Sequence, residues 1–146
     1  MSEANKAVVR RYVEDFLNRD NFALADQLFS ADSVFRGPDS PELRGREARK
    51  QYFASLRNSF PDLRFTVDEL IAEGDKVVMR WSNNATHRGA FWGIAPTGKK
   101  VGISGITILR VANGMITDEF VQSDALGFMR QLGVVPALAQ TAGVAR

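Results

Sequence analysis

The stretch KVVMRWSNNATHR, residues 76–88, decides the fold because its side chains alternate with a period of two. One face carries Val77, Met79, Trp81, Asn83, Ala85 and His87, and the other Arg80, Ser82, Asn84, Thr86 and Arg88. This alternation is typical of a β-strand that packs one face against a core. The pattern therefore predicts a strand at 76–88.

Similar strand patterns lie on both sides of this segment. We predict strands at 65–73, 101–111 and 115–123, with a turn at Gly74-Asp75, a loop at 93–100 and a hairpin turn at Asn113-Gly114. A short helix at 125–132 should follow the last strand, capped by Ser123 or Asp124 and ended by Gly133.

The residues before the first of these strands have a helical period instead. Apolar side chains in four-residue steps predict a helix over 4–18, a short one over 23–29 and a third from Gly45 to Phe60, where Pro61 stops it. A short strand at 33–36 and a proline-rich turn at 37–41 separate the second helix from the third.

The order of helices first and long antiparallel strands afterwards predicts an α+β fold, with helices on one face of a curved sheet. Segment 101–111 is apolar on both faces, since Ile106 and Ile108 lie on the parity opposite to Leu109. A partner subunit is the simplest cover for the second face, so we expect a homodimer through the sheet. We expect one domain over 1–146, with a core at about 5–133 and a C-terminal tail at 134–146.

Composition excludes several classes of site. The chain has no cysteine and one histidine, His87, which rules out disulfides, cysteine-ligated zinc and multi-histidine metal sites. Its 19 basic residues are spread among 17 acidic ones, unlike a nucleic-acid-binding stripe. We find no export signal, no membrane-length apolar run and no nucleotide-binding loop. We therefore expect a cytoplasmic protein without a metal, an organic cofactor, a nucleic acid or a membrane as partner.

Two residues are candidates for acid–base chemistry. His87 shares the face of Trp81, where it is either a core histidine or a proton carrier. Asp124 shares parity with Phe120 if no bulge intervenes, so it either caps the next helix or lies at the mouth of an aromatic-lined cavity. In the second case, burial would raise the pKa of its carboxyl.

Several sequence motifs of this chain occur in the same order as in one known protein family. These motifs are THRGAFWGIAPTG at 86–98, GMITDEF at 114–120 followed by DALGFMRQLG at 124–133, and FPDL at 60–63. Together they resemble the motifs of the SnoaL-like polyketide cyclases. The resemblance covers about residues 5–133. It implies the nuclear-transport-factor-2-like fold, a conical α+β barrel of helices on a strongly curved, mainly antiparallel sheet. Such proteins have a deep apolar cavity and are often dimers or tetramers.

The same resemblance implies an intramolecular aldol ring closure of a polyketide-like carbonyl substrate, without metal or organic cofactor. The family's general acid–base falls on Asp124, and His87 would hydrogen-bond the carbonyl oxygen. We expect an apolar or aromatic small molecule to contact Tyr12, Phe16, Phe35, Phe53, Trp81, Asn83, Phe91, Ile106, Phe120 and Gln122.

The chain also departs from the family pattern. Many relatives have His-Trp where this chain has Glu119-Phe120, and a histidine where it has Arg36. These positions shape the pocket, so the resemblance does not identify the substrate. The alternatives are a binding protein with the same cavity and no turnover, an epoxide hydrolase, or a role in hydroxylation.

Overall fold

The helices lie mainly in the first part of the chain. The structure is a computed structural model that describes residues 2–38 and 41–136. Helix α1 (Ser2–Arg11) runs directly into a π-helical segment (Tyr12–Leu17). A single 3-10 turn (Phe22–Leu24) and the short helix α2 (Ala25–Leu28) follow, and then α3 (Arg46–Ser59) and the C-terminal α4 (Ala125–Leu132). Within these described ranges, no helix has the length and apolar character needed to span a membrane.

Six strands form one sheet. They are β1 (Phe29–Arg36), β2 (Leu43–Arg44), β3 (Arg64–Glu73), β4 (Lys76–Thr86), β5 (Lys100–Ala112) and β6 (Met115–Ser123). Their order across the sheet is β2-β1-β6-β5-β4-β3. Strands β1 and β6 pair in parallel, and every other neighbouring pair is antiparallel. The predicted α+β fold, with helices on one face of a mainly antiparallel sheet, is confirmed.

One irregularity in β6 decides which side chains face the helices. Ile116 pairs with Val111 and Asp118 pairs with Arg110, so Thr117 is an extra residue in β6. Such a bulge reverses the alternation beyond it. Glu119, Val121 and Ser123 therefore face inward, whereas Phe120 and Gln122 face outward and are exposed.

The inner face of the sheet carries the main core. Val77, Leu109 and Ile116 are fully buried there against Val9 and Phe16 from the N-terminal helical segments. A second cluster joins Phe60, Val101 and Phe128 under α4. Gln131 of α4 both accepts from the backbone N–H of Gly102 and donates to its carbonyl, each at 2.7 Å, which fixes α4 beside β5.

The outer face has no cover within the described part of the chain. Ile106 and Ile108 on β5 and Phe120 on β6 are 51%, 45% and 47% exposed. Ile108 is the cross-strand neighbour of Phe120, and Ile106 is that of Gln122. These three side chains form an exposed apolar group on the outer face of the sheet.

The element boundaries differ from the predictions mainly near the N-terminus. The predicted helix over 4–18 is π-helical in its last third, and the helix predicted over 23–29 is only four α-helical residues after a 3-10 turn. Strand β1 begins at Phe29 rather than 33, and β2 was not expected. Part of the predicted turn (39–40) and most of the predicted tail (137–146) lie outside the described residues.

Candidate active site

A cavity lies between the inner face of the sheet, the π-helical segment, α3 and the loop that joins β4 to β5. The space open to the centre of a water molecule is about 110 Å³. Most of the lining is apolar: Leu17, Phe35, Tyr52, Phe53, Leu56, Phe65, Met79, Trp81, Phe91, Trp92, Ile103 and Val121. Tyr12, Asn83, Thr107, Glu119 and Ser123 add polar groups. An apolar pocket with a few polar groups is the usual form of a small-molecule site.

Three residues from three elements form a buried polar cluster at one end of this cavity. The hydroxyl of Tyr12 lies 2.9 Å from Oε1 and 3.2 Å from Oε2 of Glu119. Nη1 of Arg49 donates to the same Oε1 at 2.5 Å. Tyr12 opens the π-helical segment, Arg49 lies on α3, and Glu119 follows the bulge in β6. All three side chains are almost completely buried.

The surroundings of Glu119 make its carboxyl a weaker acid than an exposed glutamate. Burial disfavours the charged form and raises the pKa of Glu119, although Arg49 and the Tyr12 hydroxyl act to lower it. Burial and the neighbouring Glu119 also raise the pKa of Tyr12 well above its usual value, so the phenol remains a hydrogen-bond donor. The site thus combines a neutral phenol with a carboxyl group whose pKa lies above its ordinary value.

Arg49 is held by aromatic rings as well as by the ion pair. Its guanidinium lies 4.0 Å from the ring centre of Phe29 and 5.4 Å from that of Phe35. These are cation–π distances. Its Nε and Nη2 atoms are buried without a hydrogen-bond partner in the described residues. The rings therefore fix the guanidinium at Glu119, and the ion pair leaves part of its donor capacity unused.

Further polar groups line the cavity along the strands away from Glu119. The indole N–H of Trp81 donates to the Thr107 hydroxyl at 2.8 Å. The Asn83 side-chain oxygen accepts from the backbone N–H of Ile103 at 3.0 Å, which leaves its amide N–H₂ group for other partners. Ser123 lies at the end of β6. A ligand in the cavity meets hydrogen-bonding groups at several depths.

The described residues of the site do not form a cluster of metal ligands. Across residues 2–38 and 41–136, no group of three or more histidine, cysteine, aspartate or glutamate side chains is arranged to hold one. Glu119 is instead satisfied by a cation of the chain itself, Arg49. The donor set of the cavity favours proton transfer and hydrogen bonding.

Comparison with known proteins identifies the family. The family model for SnoaL-like polyketide cyclases matches residues 7–132. The chain belongs to the SnoaL-like polyketide cyclase family. No curated protein matches this chain in sequence.

Solved structures support this assignment. AclR of Streptomyces galilaeus, described as a proposed hydroxylase, is 25% identical, with 100% of this chain and 95% of that one covered and a TM-score of 0.85. IdmH of Streptomyces antibioticus, a proposed polyketide cyclase, is 26% identical over 89% of this chain and 99% of that one, with a TM-score of 0.77. An epoxide hydrolase of M. tuberculosis shares the fold at 14% identity, 90% coverage of both chains and a TM-score of 0.72. The predicted SnoaL-like family and nuclear-transport-factor-2-like fold are confirmed.

The SnoaL-like cavity contains six of the ten residues predicted to contact substrate. Tyr12, Phe35, Phe53, Trp81, Asn83 and Phe91 line it. Phe16 is instead fully buried in the core. Ile106, Phe120 and Gln122 lie on the outer face of the sheet, because β5 presents its odd-numbered residues inward and the bulge turns the even-numbered residues of β6 outward.

Asp124 does not point into the cavity, so its predicted direction is wrong. The bulge at Thr117 breaks the parity on which that direction depended. The carboxyl is exposed and accepts from the backbone N–H of Gly127 at 2.9 Å, as the N-cap of α4. It borders an open depression on the outer face instead.

His87 is completely buried, as its parity predicts, but it does not line the cavity. The backbone N–H of Thr97 donates to its Nδ1 at 3.2 Å, and the imidazole stacks on Phe60. His87 therefore holds together the loop from which Phe91 and Trp92 reach the cavity.

Sequence reasoning missed Arg49 and Thr107 as site residues, and it singled out Glu119 only as a departure from the family pattern that shapes the pocket. Arg49 lies one helical turn before Phe53, so its position on the buried face of α3 was available from the spacing. Thr107 lies on the parity of Leu109, which is the inward face of β5. Glu119 had no such signal, because only the bulge in β6 turns it inward.

Proposed function

We propose that this protein is an acid–base isomerase that closes a ring in a small carbonyl compound by an intramolecular aldol addition, with Glu119 as the general base. The observation that carries the proposal is a carboxyl group of raised pKa, buried at the end of an apolar cavity. A base works best when its pKa lies near the operating pH. Family membership supports the same class of reaction.

The geometry around Glu119 supports proton transfer. A carboxylate has about four acceptor sites. Oε1 accepts from both Arg49 and Tyr12, whereas Oε2 has only the longer contact of 3.2 Å to the Tyr12 hydroxyl. Oε2 therefore retains capacity to accept a proton. Arg49 and Tyr12 fix the direction of the carboxyl, which lowers the entropic part of the barrier.

The proposed steps balance without another reactant. Glu119 takes a proton from the carbon next to a substrate carbonyl, and the C–H electron pair becomes an enolate. The enolate carbon then attacks a second carbonyl carbon of the same molecule, and a C–C bond forms as that C=O bond becomes an alkoxide. Glu119 returns the proton to the alkoxide, so the product is an isomer of the substrate and the enzyme is regenerated.

The size of the cavity limits the substrate. A water molecule needs roughly 10–15 Å³ of such space, so about 110 Å³ holds on the order of eight waters. Since this volume counts only the positions of water centres, the cavity holds at least a compound of one or two rings. The reacting end of a larger polyketide would enter the cavity, and its remaining rings would extend out through the opening.

Deuterium exchange into 2-tetralone, a two-ring ketone with acidic protons next to its carbonyl, tests the proposal. We expect the protein to accelerate exchange in D₂O, followed by proton NMR, and Glu119→Gln to reduce the acceleration at least about 100-fold. Asp118→Asn is the matched control, since this neighbouring carboxyl is about half exposed and paired with arginines on the outer face. Wild-type exchange at the buffer rate, or unchanged exchange in Glu119→Gln, would contradict the proposal.

Asp124→Asn tests the assignment that the family resemblance implies. Asparagine is an equally good N-cap, so this variant keeps the fold of α4. We expect its exchange rate to equal that of the wild type. Loss of exchange in Asp124→Asn together with full exchange in Glu119→Gln would assign the chemistry to Asp124 instead.

Binding without turnover is the second candidate function. It is favoured by the engagement of Glu119 with Arg49 and Tyr12, which stabilises the carboxyl in the absence of substrate. A binding protein would be stabilised against heat by 2-tetralone and would show no accelerated exchange.

We also propose that two copies of the chain pack through the outer face of the sheet. The exposed side chains of Ile106, Ile108 and Phe120 form its apolar centre. Arg110 and Asp118 beside them supply charges of both signs at the rim. A two-fold axis would bring opposite charges together. A cytoplasmic location and a tetramer remain predictions from the sequence.

A further inference from the structure

Trp81 and Thr107 form a second hydrogen-bonded pair in the cavity, apart from the Glu119 cluster. The indole N–H of Trp81 can only donate, and it donates to Thr107 Oγ1 at 2.8 Å. The Thr107 hydroxyl therefore acts as an acceptor toward Trp81, and its own O–H must donate elsewhere. Among the described residues, no hydrogen bond has this hydroxyl as its donor, although Thr107 is 1% exposed and lines the cavity.

The sheet register places Thr107 close to Glu119. Thr107 pairs with Val121, two residues beyond Glu119 on the same inward face of β6. Diagonal neighbours of this kind have Cβ atoms roughly 7–8 Å apart. A carbonyl oxygen that accepts from Thr107 therefore places the adjacent carbon of a bound ketone within reach of the Glu119 carboxylate.

The other donors of the cavity are less well placed for this oxygen. The Tyr12 hydroxyl is committed to Glu119. Asn83 lies a further two residues beyond Trp81 on β4, and Ser123 lies four residues from Glu119 on β6. Arg49 keeps Nε and Nη2 without a partner in the described residues, but it does not line the cavity. Among the lining residues whose donors are not engaged, Thr107 is the closest to Glu119 in the sheet register.

We propose that the Thr107 hydroxyl, oriented by Trp81, donates a hydrogen bond to the substrate carbonyl oxygen and stabilises the negative charge that this oxygen gains in the enolate. The proposal rests on the proposed function and adds the orientation of the substrate. The carbonyl oxygen faces the middle of β5, and the carbon that loses its proton faces Glu119. Donors fixed before the reaction stabilise such an oxyanion without reorganisation.

Gly105 explains how the indole of Trp81 is kept in place. It lies opposite Trp81 in the sheet. A Cβ atom at this position would collide with the indole ring and would lie 2.7 Å from the Gln122 carbonyl oxygen. The absence of a side chain at Gly105 therefore leaves the space in which the indole reaches Thr107.

Binding of two matched compounds tests the hydrogen bond separately from turnover. Tetralin has the rings of 2-tetralone without the oxygen. We expect Thr107→Val to weaken 2-tetralone binding roughly fivefold, as for the loss of one neutral hydrogen bond, and to leave tetralin binding unchanged. Thr107→Ser keeps the hydroxyl and should retain the wild-type ratio of the two affinities. Calorimetry gives both dissociation constants.

The carbonyl carbon of 2-tetralone gives a spectroscopic signature that a merely structural role would not change. Hydrogen bonding moves its carbon-13 resonance downfield, so we expect the bound signal to shift upfield in Thr107→Val and in Trp81→Phe, with the larger shift in Thr107→Val. Where the wild type catalyses exchange, Thr107→Val should lower kcat at least about 100-fold, whereas KM should rise only as much as the dissociation constant does.

These readouts separate the two proposals. Wild-type protein that binds 2-tetralone more tightly than tetralin but does not exchange its protons supports the Thr107 hydrogen bond and contradicts the role of Glu119. Equal affinity of the wild type for both compounds, no binding of 2-tetralone, or an unchanged affinity ratio and carbon shift in Thr107→Val would overturn the role of Thr107.

Discussion

Replacing Arg49 by methionine tests whether the buried ion pair sets the protonation of Glu119. Methionine fills a similar volume and keeps apolar contact with Phe29, but it removes the guanidinium that donates to Glu119 at 2.5 Å. The two side chains of the pair are 1% and 4% exposed, so water does not replace the lost partner. Removing one partner of such a pair costs about 3–5 kcal/mol of folding stability when the other stays charged.

The loss of folding stability in Arg49→Met should depend on pH, and the direction of this dependence follows from the pKa of Glu119. Burial already raises this pKa, and loss of Arg49 removes the main opposing interaction. A carboxyl with a higher pKa in the folded than in the unfolded state binds more protons when folded. Its contribution to stability is then full below the unfolded pKa and is lost as pH rises through the folded pKa. Each pH unit within that window changes stability by about 1.4 kcal/mol.

We therefore expect Arg49→Met to destabilise the protein by about 3–5 kcal/mol at pH 8 and by less at pH 5, because the raised pKa of Glu119 favours its neutral form in the folded state as pH falls. Urea unfolding at the two pH values, followed by tryptophan fluorescence, measures both quantities. Arg80→Met is the control, because Arg80 forms an exposed ion pair with Glu69 and its loss should cost under about 1 kcal/mol.

The double variant Arg49→Met/Glu119→Gln completes this test. Glutamine carries no charge, so the double variant should be more stable at pH 8 than Arg49→Met alone and should lose the pH dependence. Additive effects of the two substitutions, or a cost of Arg49→Met that is the same at pH 5 and pH 8, would refute the reasoning.

Two other predictions concern the outer face and the end of the sheet. Ile108→Lys should shift the sedimentation coefficient at micromolar concentration from that of a dimer to that of a monomer. Leu126→Lys is the control, because Leu126 on α4 is an equally exposed apolar residue, and it should leave the coefficient unchanged. A wild-type protein that sediments as a monomer would contradict the proposed dimer. Asp124→Ala should lower the free energy of unfolding, measured by urea titration, by about 1 kcal/mol, because the side chain caps α4. Asp124→Asn should lower it by less, since asparagine also caps helices. Equal losses in the two variants would argue against capping.

Most of the fold could be predicted because the hydrophobic periods are strong. The alternation in 76–88 and the hairpin turn at Asn113-Gly114 gave β4, β5 and β6, and Pro61 gave the end of α3 within two residues. Strand β2 could not be predicted, since it has two residues and exists only through pairing with Val34 and Phe35. The parallel pairing of β1 with β6 joins distant segments and leaves no local pattern.

The apolar wall of the site could be predicted better than its chemistry. The aromatic residues on the inner parity, such as Trp81, lie where alternation places them. The family motif drew attention to Asp124 and His87, whose side chains serve a helix cap and a loop. The acid–base candidate itself depended on an extra residue in β6, and strand alternation cannot indicate which residue is the extra one.

Two backbone irregularities meet at the hydrogen bond between Tyr12 and Glu119. The π-helical segment begins at Tyr12. The bulge at Thr117 lies two residues before Glu119, which is the first residue of β6 beyond the bulge to face the cavity. Each costs regular hydrogen bonding locally, and each is a type of irregularity often found at functional sites. A regular β6 would have turned Glu119 to the outer face and Asp124 inward. One inserted residue in a strand therefore decides which carboxyl group faces the cavity.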